Sequence, residues 1–457
     1  MVRAILDGAD AVRRAGQVYL PKHPAESDDE YKRRLASAPW RPEFEDALRS
    51  ISSKPFAKEV ALSGDPSEEA KALAEDIDGR GNNLHVFAKD LFEDGVSLGA
   101  AGILVDFPPM APNATRADER AAGARPYWVE IAADEIIALR TERRGAREVV
   151  THLRVWETAT AINGFEESVV KKIRVIEPGL WQLWHQVKGV DGKPQWALEA
   201  EGVMTLDEVP FVFYATADRV GAQYVRPPML DLANMQIELY RFMSGEEQIY
   251  TIAGAPMLTA NGMAAPEDGG TVEVGPGRIL FAPGGEHIST SWAYIQPAAE
   301  NLKAITAKAQ GIIEDMRRLG LQPMLPKTGN VTATATGVEA AKAHTAVGTW
   351  ANGLKDAIEQ AWMFTMRWMK SPEEVTVSVH TDFGVSLQGA EEVRELREAR
   401  AAGMISEETF WDELVRRGVL GPQFDKDEER ARLIAEIPGD DPEESEAALL
   451  PTPDPVT

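Results

Sequence analysis

Apolar positions recur at spacings of three and four over two long stretches of the chain. In the first, Leu302, Ile305, Ala309, Ile312, Met316 and Leu319 share one helical face, and Glu300, Lys303, Lys308, Glu314 and Arg317 take the other. In the second, Val347, Trp350, Ala351, Leu354, Ile358, Ala361, Trp362, Thr365 and Met369 trace a stripe. A helix over 337–370 would span roughly 50 Å. Between them, LQPMLPKTGNVTATATG (321–337) holds Pro323, Pro326, Gly329 and Gly337, which exclude helix, and hydroxylated residues that keep it polar. A mobile loop held between two long helices suits a moving or gating part better than a catalytic centre.

Elsewhere the period changes. The first 60 residues mix short helical patterns with Pro21, Pro24, Pro39, Pro42 and Pro55, as expected of a segment wrapped over something else. Helix is predicted over 66–79, with Ser67 or Asp65 as cap, and from Leu84 to near Gly95. ILVDF (103–107) reads as a buried strand and 108–125 as an exposed loop. From Tyr127 to Thr216 alternating apolar and polar positions predict strands: YWVEI, VVTHLRVWET, SVVKKIRVIEP, LWQLWHQV, QWALEA and VPFVFYAT. A helix follows Pro227 and Pro228, with Leu232, Met235, Leu239, Phe242 and Ile249 on one face. Short strands (APMLTA, TVEV, RILFA, TSWAYI) fill 251–296. VTVSVHTDF (375–383) reads as a strand, 389–402 and 406–417 as helices, and the acidic, proline-rich 438–457 as disordered.

At 457 residues with 44% hydrophobic composition the chain has room for two to four domains. It has no apolar run long enough for a membrane span and no signal-peptide pattern, so a soluble, unsecreted protein without a membrane partner is expected. The absence of cysteine excludes disulfides and thiolate metal sites. A net charge of −25 argues against gripping nucleic acid, because phosphate binding needs a basic footprint. The charge fits a solvated acidic surface that aids solubility; the sharper alternative is a protein that handles DNA without adhering to it.

Catalytic chemistry is not legible. GLQPMLPKT (320–328) has Pro326 where a phosphate loop needs glycine, and GPGRIL (275–280) lacks the third glycine of a dinucleotide fingerprint. The seven histidines (His23, His85, His152, His185, His287, His344, His380) share no metal-ligand spacing. Ser378, His380 and Asp382 alternate onto one strand face, but nothing activates the serine. No catalytic residue, metal site or cofactor is therefore assigned. Lys327 is the one charged residue of the 321–337 loop, and Thr328, Asn330, Thr332, Thr334 and Thr336 add groups able to touch a phosphate weakly.

Several stretches, taken in order, resemble the portal (head-tail connector) proteins of tailed bacteriophages, in a branch long labelled only as phage protein of unknown function. YLPKHPAESDDEYKRRLASA (19–38) is similar to that branch's opening, with Tyr19, Pro21, Glu26, Tyr31 and Arg34 in its spacing. RPYWVEIAADEIIALR (125–140), IRVIEPGLWQLW (173–184), PPMLDLANMQIELYR (227–241), AGAPMLTANG (253–262), VEVGPGRILFAPGG (272–285), MRRLGLQPMLPKTGNVTATATG (316–337) and GMISEETFWDEL (403–414) continue it.

The resemblance implies an α+β portal fold assembled as a ring, typically a 12-mer, at one capsid vertex of the virion, formed in the host bacterial cytoplasm. Its parts would be a wing (1–225 and 337–385, the latter a long helix and strand), stem helices (226–250 and 296–320), a small β-rich clip (251–295), a tunnel loop (321–336), a helical crown (386–437) and the acidic tail. Double-stranded DNA would pass through the channel without sequence specificity. The other partners implied are the terminase large subunit, the major capsid protein and a head-tail adaptor. Lys327, Thr328, Asn330, Thr332 and Thr334 would contact DNA, and Glu286 and His287 would belong to the docking surface of the clip. The rival readings are an acidic cytoplasmic hydrolase with a strand-rich core and another ring protein of the head-tail junction.

Overall fold

The computed structural model describes residues 1–24, 26–110, 115–188, 193–217, 225–253, 257–261, 279–282, 291–295, 299–320, 333–381, 389–416, 419–420 and 424–436. The chain opens with helices α1 (Val2–Leu6), α2 (Ala9–Arg14), α3 (Asp28–Ser37) and α4 (Glu43–Ser52). Strand β1 (Ala61–Ser63), helices α5 (Glu68–Glu75) and α6 (Leu84–Leu98), strand β2 (Ala100–Asp106), helix α7 (Arg116–Ala121) and strand β3 (Tyr127–Ala132) follow. An antiparallel meander comprises β4 (Ile136–Arg144), β5 (Arg147–Asn163), β6 (Glu166–Glu177), β7 (Leu180–Lys188) and β8 (Pro194–Val203). Next are β9 (Phe211–Ala215), helix α8 (Leu230–Ala253), strands β10 (Met257–Asn261), β11 (Ile279–Ala282) and β12 (Ser291–Ile295), and helices α9 (Ala299–Leu319) and α10 (Ala333–Met369). Strand β13 (Thr376–Ser378) and helices α11 (Gly389–Ala401), α12 (Glu407–Arg416) and α13 (Lys426–Glu436) complete the described elements. This is the α+β class expected from the sequence.

The chain divides into two compact units, Met1–Thr381 and Asp382–Thr457. In the first, β2 lies between β3 and β9 in an antiparallel sheet. One face of this sheet packs on α6 and α10, through Phe87 against Trp128 and Trp128 against Trp362. Burial of Val347, Ala351, Leu354, Ile358, Ala361, Trp362 and Thr365 bears out the stripe read from the sequence. The other face joins the inner end of the β4–β8 meander in a core of Leu104, Ile131, Leu139, Leu153, Val155, Ile176 and Phe211. Near this core the buried Glu208 takes the guanidinium groups of Arg147 and Arg367, tying the strands to α10. In the second unit, Ser406 caps α12 through the Thr409 amide, and Trp411 packs edge-on against Phe424 beneath Arg430.

Local chemistry explains where the observed elements depart from the sequence pattern. Helix α6 does not stop near Gly95 but continues to Leu98, where Gly99 adopts φ +89. Gly95 is needed for space: a Cβ there would lie 2.3 Å from Cε1 of the buried Tyr214 ring. The segment 108–125 includes α7, whose entry Thr115 and Asp118 organise by reciprocal hydrogen bonds. Strand β4 follows β3 after one 3-10 turn without a glycine or proline to announce it. Leu319 is exposed although it falls on the apolar stripe of α9, while Ile313 is buried. Strand β13 is three residues long, and α13 had no clear stripe to predict it.

Electrostatics make one position in the sheet anomalous. Glu130 pairs with Ile103 on β2 beside Asp94 and Asp90, and burial, followed by repulsion from these carboxylates, pushes its acid up to about 8. One of its carboxyl oxygens is buried without a hydrogen-bond partner. Because the folded acid holds its proton longer than the unfolded one, native stability falls as pH rises from about 4.5 toward about 8. Glu130→Gln is expected to flatten this dependence and raise the melting temperature at pH 8, as read by calorimetry across pH. A second test concerns Gly95. Gly95→Ala should destabilise by about 1–3 kcal/mol through overpacking. Gly353→Ala, whose Cβ meets Tyr214 at an ordinary 3.6 Å, should be neutral or slightly stabilising in denaturant unfolding.

Candidate functional site

Helices α8 and α9 run antiparallel. Gly320, just past α9, lies beside Leu232 near the start of α8. Farther along, the Lys308 ammonium stands 5.2 Å from the Phe242 ring centroid, and Tyr250 Oη is 2.6 Å from Thr306 Oγ1. The first half of α8 is a core helix, with Leu232, Ala233, Gln236, Ile237, Leu239 and Tyr240 buried. Beyond Ser244 it emerges into solvent, and Ile249 and Tyr250 are each 40% exposed. The emergent ends of α8 and α9 are joined through the β10–β12 sheet, in which β10 pairs parallel with β11 and antiparallel with β12. Thr259 inside this sheet donates to the Ala293 carbonyl at 2.9 Å. Helix α10 then extends for 37 residues, about 55 Å at 1.5 Å per residue.

The rooted end of the pair is fastened at the start of α4. Its N-cap, Pro42, supplies no side-chain acceptor for the first amides of the helix. Gln236, fully buried on α8, replaces it: Oε1 accepts the Phe44 N–H at 3.1 Å while Nε2 donates to the Arg41 carbonyl at 2.8 Å. Glu43, the first residue of α4, is buried between Arg317 of α9 and Arg41, each at 3.2 Å. Its negative charge also sits favourably at the positive end of the α4 dipole. Gly320 completes the junction, since a Cβ there would stand 2.7 Å from the Ala47 Cβ on α4. One helix terminus thus holds both long helices.

The opening segment closes over the same place. Glu26 and Arg34 form a bidentate pair at 2.8 Å with side chains only 6% and 3% exposed. The hydrogen bond from Arg34 holds the Glu26 carboxyl down to about 2. Arg34 also donates to the Pro21 carbonyl, and Tyr31 donates to the carbonyl of Leu20. Arg241 of α8 donates to the Tyr19 carbonyl at 2.6 Å, and Trp40 packs edge-on against Tyr240. Tyr19, Pro21, Glu26, Tyr31 and Arg34, singled out by the resemblance of 19–38, are therefore one clasp on α8.

The residues expected to touch DNA or docking partners are distributed differently. Lys327, Thr328, Asn330, Thr332, Glu286 and His287 lie outside the described residues, as does the tail from 437 onward. Thr334, expected in a helix-free loop, instead falls in the first turn of α10, which begins at Ala333 and runs on through Gly337. Among the described residues no cluster of His, Asp and Glu is placed to hold a metal ion. His85 accepts the Val60 amide, and His152 and His185 stand near Glu177 and Glu199 respectively. Ser378 donates to the Ala61 carbonyl, while Asp382 lies outside the described residues. Sequence reading missed Gln236, Glu43 and Arg317. The available signal was a glutamine within the apolar stripe of α8, flanked by Leu232 and Leu239.

Residues 228–369, from α8 through α10, match the family model described as Domain of unknown function (DUF4055). No curated protein matches the chain. Among solved structures, a chain from the "Virion of native gene transfer agent (GTA) particle" is 13% identical, with 89% of this chain and 98% of that chain covered and a TM-score of 0.41. A chain from the "Neck of native GTA particle computed with C12 symmetry" is 14% identical, covering 90% and 99%, with the same score. A third, from the "Neck of empty GTA particle computed with C6 symmetry", is 14% identical over 83% and 90%, again at 0.41.

The junction makes testable demands. Gln236→Leu keeps the volume but strands the Phe44 amide in the interior, and is expected to cost about 1–3 kcal/mol in urea unfolding. Arg317→Ala should cost less, because Arg41 still faces Glu43. Glu26→Gln leaves Arg34 buried without its counter-charge and should cost about 3–5 kcal/mol. The wild-type pair stabilises fully above the ordinary carboxylate range and loses this contribution as pH falls from about 4.5 to about 2. The Glu26→Gln variant should lack that part of the acid transition; an unchanged acid profile would exclude a stabilising role for the pair.

Proposed function

We propose that the chain is the repeating subunit of a portal ring at one vertex of a tailed-phage-like capsid, the channel through which double-stranded DNA is packaged and ejected. One observation carries the reading. An antiparallel helix pair is rooted in an α+β body at one end, bears a small three-stranded sheet at the other, and is followed in sequence by the polar loop and the long helix α10. The ordered motifs quoted above support it from the sequence side, including the opening clasp.

In this reading α8 and α9 are the stem, the β10–β12 region is the clip that docks the terminase large subunit and later the head-tail adaptor, and the body meets the major capsid protein. The helix pair transmits load between clip and body through the buried start of α4, where Gln236, Glu43 and Arg317 resist its being pulled away. A ring of twelve would carry 12 × 25 = 300 net negative charges. Those lining a channel would repel phosphates and let the duplex slide. Lys327, with Thr328, Asn330, Thr332 and Thr334, would provide weak transient contacts at the constriction, screened beyond ~8 Å at physiological ionic strength.

Light scattering of the purified protein, followed by electron microscopy, tests the assembly. A ring of twelve weighs 12 × 50.0 = 600 kDa, whereas a persistent monomer would reject the proposal and favour the hydrolase. Lys327→Ala is expected to leave ring formation and stability unchanged while altering how much DNA is packaged or retained. Normal packaging and retention by that variant would remove Lys327 from the channel. Replacing Glu286 and His287 with alanine should impair motor or adaptor docking more than ring formation, as measured by co-sedimentation.

A further inference from the structure

The outermost part of the β5–β6 hairpin has an unusual tip. Asn163 pairs with Glu166, leaving Gly164 and Phe165 as a two-residue turn, and Gly164 at φ +65 supplies the positive φ that its first position requires. The second position ordinarily favours small polar residues. Here it holds Phe165, fully exposed, with Ile162 behind it at 71% exposure. Glu166 and Glu167 flank the ring and are also exposed. The result is an apolar knob with an acidic collar.

The same meander carries a hole. Trp156 of β5 and Trp196 of β8 meet above β6 and β7, with ring centroids 5.9 Å apart. Beside them is an open depression of about 380 Å³, also lined by Val169, Val170, Lys171 and Gln186. Lys171 stands 5.7 Å from the Trp156 ring centroid, and the alternation of β7 puts Lys188 on the same face as Gln186. The depression is therefore aromatic with a basic edge. It is roomy enough for a benzyl group.

Phe165 cannot fill the depression of its own chain. Even the near rim, at Val169, lies four residues along β6, about 14 Å away at 3.4 Å per residue, farther than a phenylalanine side chain reaches, and the Trp156–Trp196 pair is farther still. We infer that the hairpin tip of one copy docks in the Trp156–Trp196 depression of a second copy. The collar of Glu166 and Glu167 would face Lys171 and Lys188, so charge complementarity selects the occupant. Repeated head to tail, the contact generates a closed ring or an open filament, whereas a reciprocated contact would close as a two-fold dimer. The inference rests on the chain assembling with itself, as proposed above, and assigns a contact to that assembly.

The chain has no cysteine, so introduced thiols are unique. Asn163→Cys marks the knob while retaining Phe165, and Gln186→Cys marks the hole. An equimolar mixture of the two single variants, treated with a short bismaleimide, should give a linked dimer that neither variant gives alone. The double variant should give a ladder extending beyond dimer. Adding Phe165→Asp to the Asn163→Cys variant, at a fully exposed position that leaves subunit folding unaffected, should reduce linkage roughly tenfold or more. Intact rings with linkage no greater than that of an Asn163→Cys and Lys71→Cys control pair would overturn the contact and leave the ring reading standing. Linked open filaments would uphold the contact and count against the ring. A monomer without linkage would overturn both.

Discussion

The body depends on burying one face of a single helix whose neighbours come from distant parts of the sequence. Helix α10 presents Trp362 and Thr365 to Trp128, whose indole N–H donates to the Thr365 hydroxyl at 2.8 Å. It also receives the Tyr214 hydroxyl at the Trp350 carbonyl, and Trp368 donates to the Val105 carbonyl. Each bond satisfies a polar atom that burial would otherwise penalise, so the apolar contact occurs in one register rather than several. All three strands of the β3-β2-β9 sheet, and through Arg367 the meander, are fixed relative to this helix.

The helix pair has a different chemistry. Its packing surface is modest, since α9 buries Ala309, Ile313 and Met316 and leaves much of its length to solvent. The attachment to the body is instead polar and concentrated at the α4 terminus. Buried amide and charge partners tolerate little displacement, whereas an apolar surface can slide with small loss. A load applied along α8 or α9 would therefore reach a junction specified by geometry, beside which the opening segment is fastened to α8 through the Arg241–Tyr19 bond and the Trp40–Tyr240 contact.

Much of this architecture was legible in the sequence because burial imposes its period. The stripe of α10 from Val347 to Thr365 and the inner strand positions Leu139, Leu153, Val155 and Ile176 answer to burial. Positions decided by distant partners were not legible. Gly95 looks like a helix terminator until Tyr214 is placed over it, and Arg317 looks like a solvent-facing charge until Glu43 is placed beneath it. The same holds for the candidate site: the clasp residues were picked out only by resemblance, and Gln236 as the cap of a helix 192 positions away was not legible at all. Nor does alternation reveal that Trp156 and Trp196 meet across two intervening strands.

The pairing of β1 with β13 joins residues from opposite ends of the body: Ser63 and Thr376 share a hydroxyl hydrogen bond across 313 positions. Contacts of such separation incur their loop-closure entropy before they return any packing, so they form late and slowly. A chain emerging from the ribosome can fold α6 and β2 early, but their shared apolar face stays open until α10 has been synthesised. Maturation of the body is thus timed by translation. The body acquires its finished surface only after α8 and α9 already exist, and until then the apolar faces of α6 and β2 stay exposed on the growing chain.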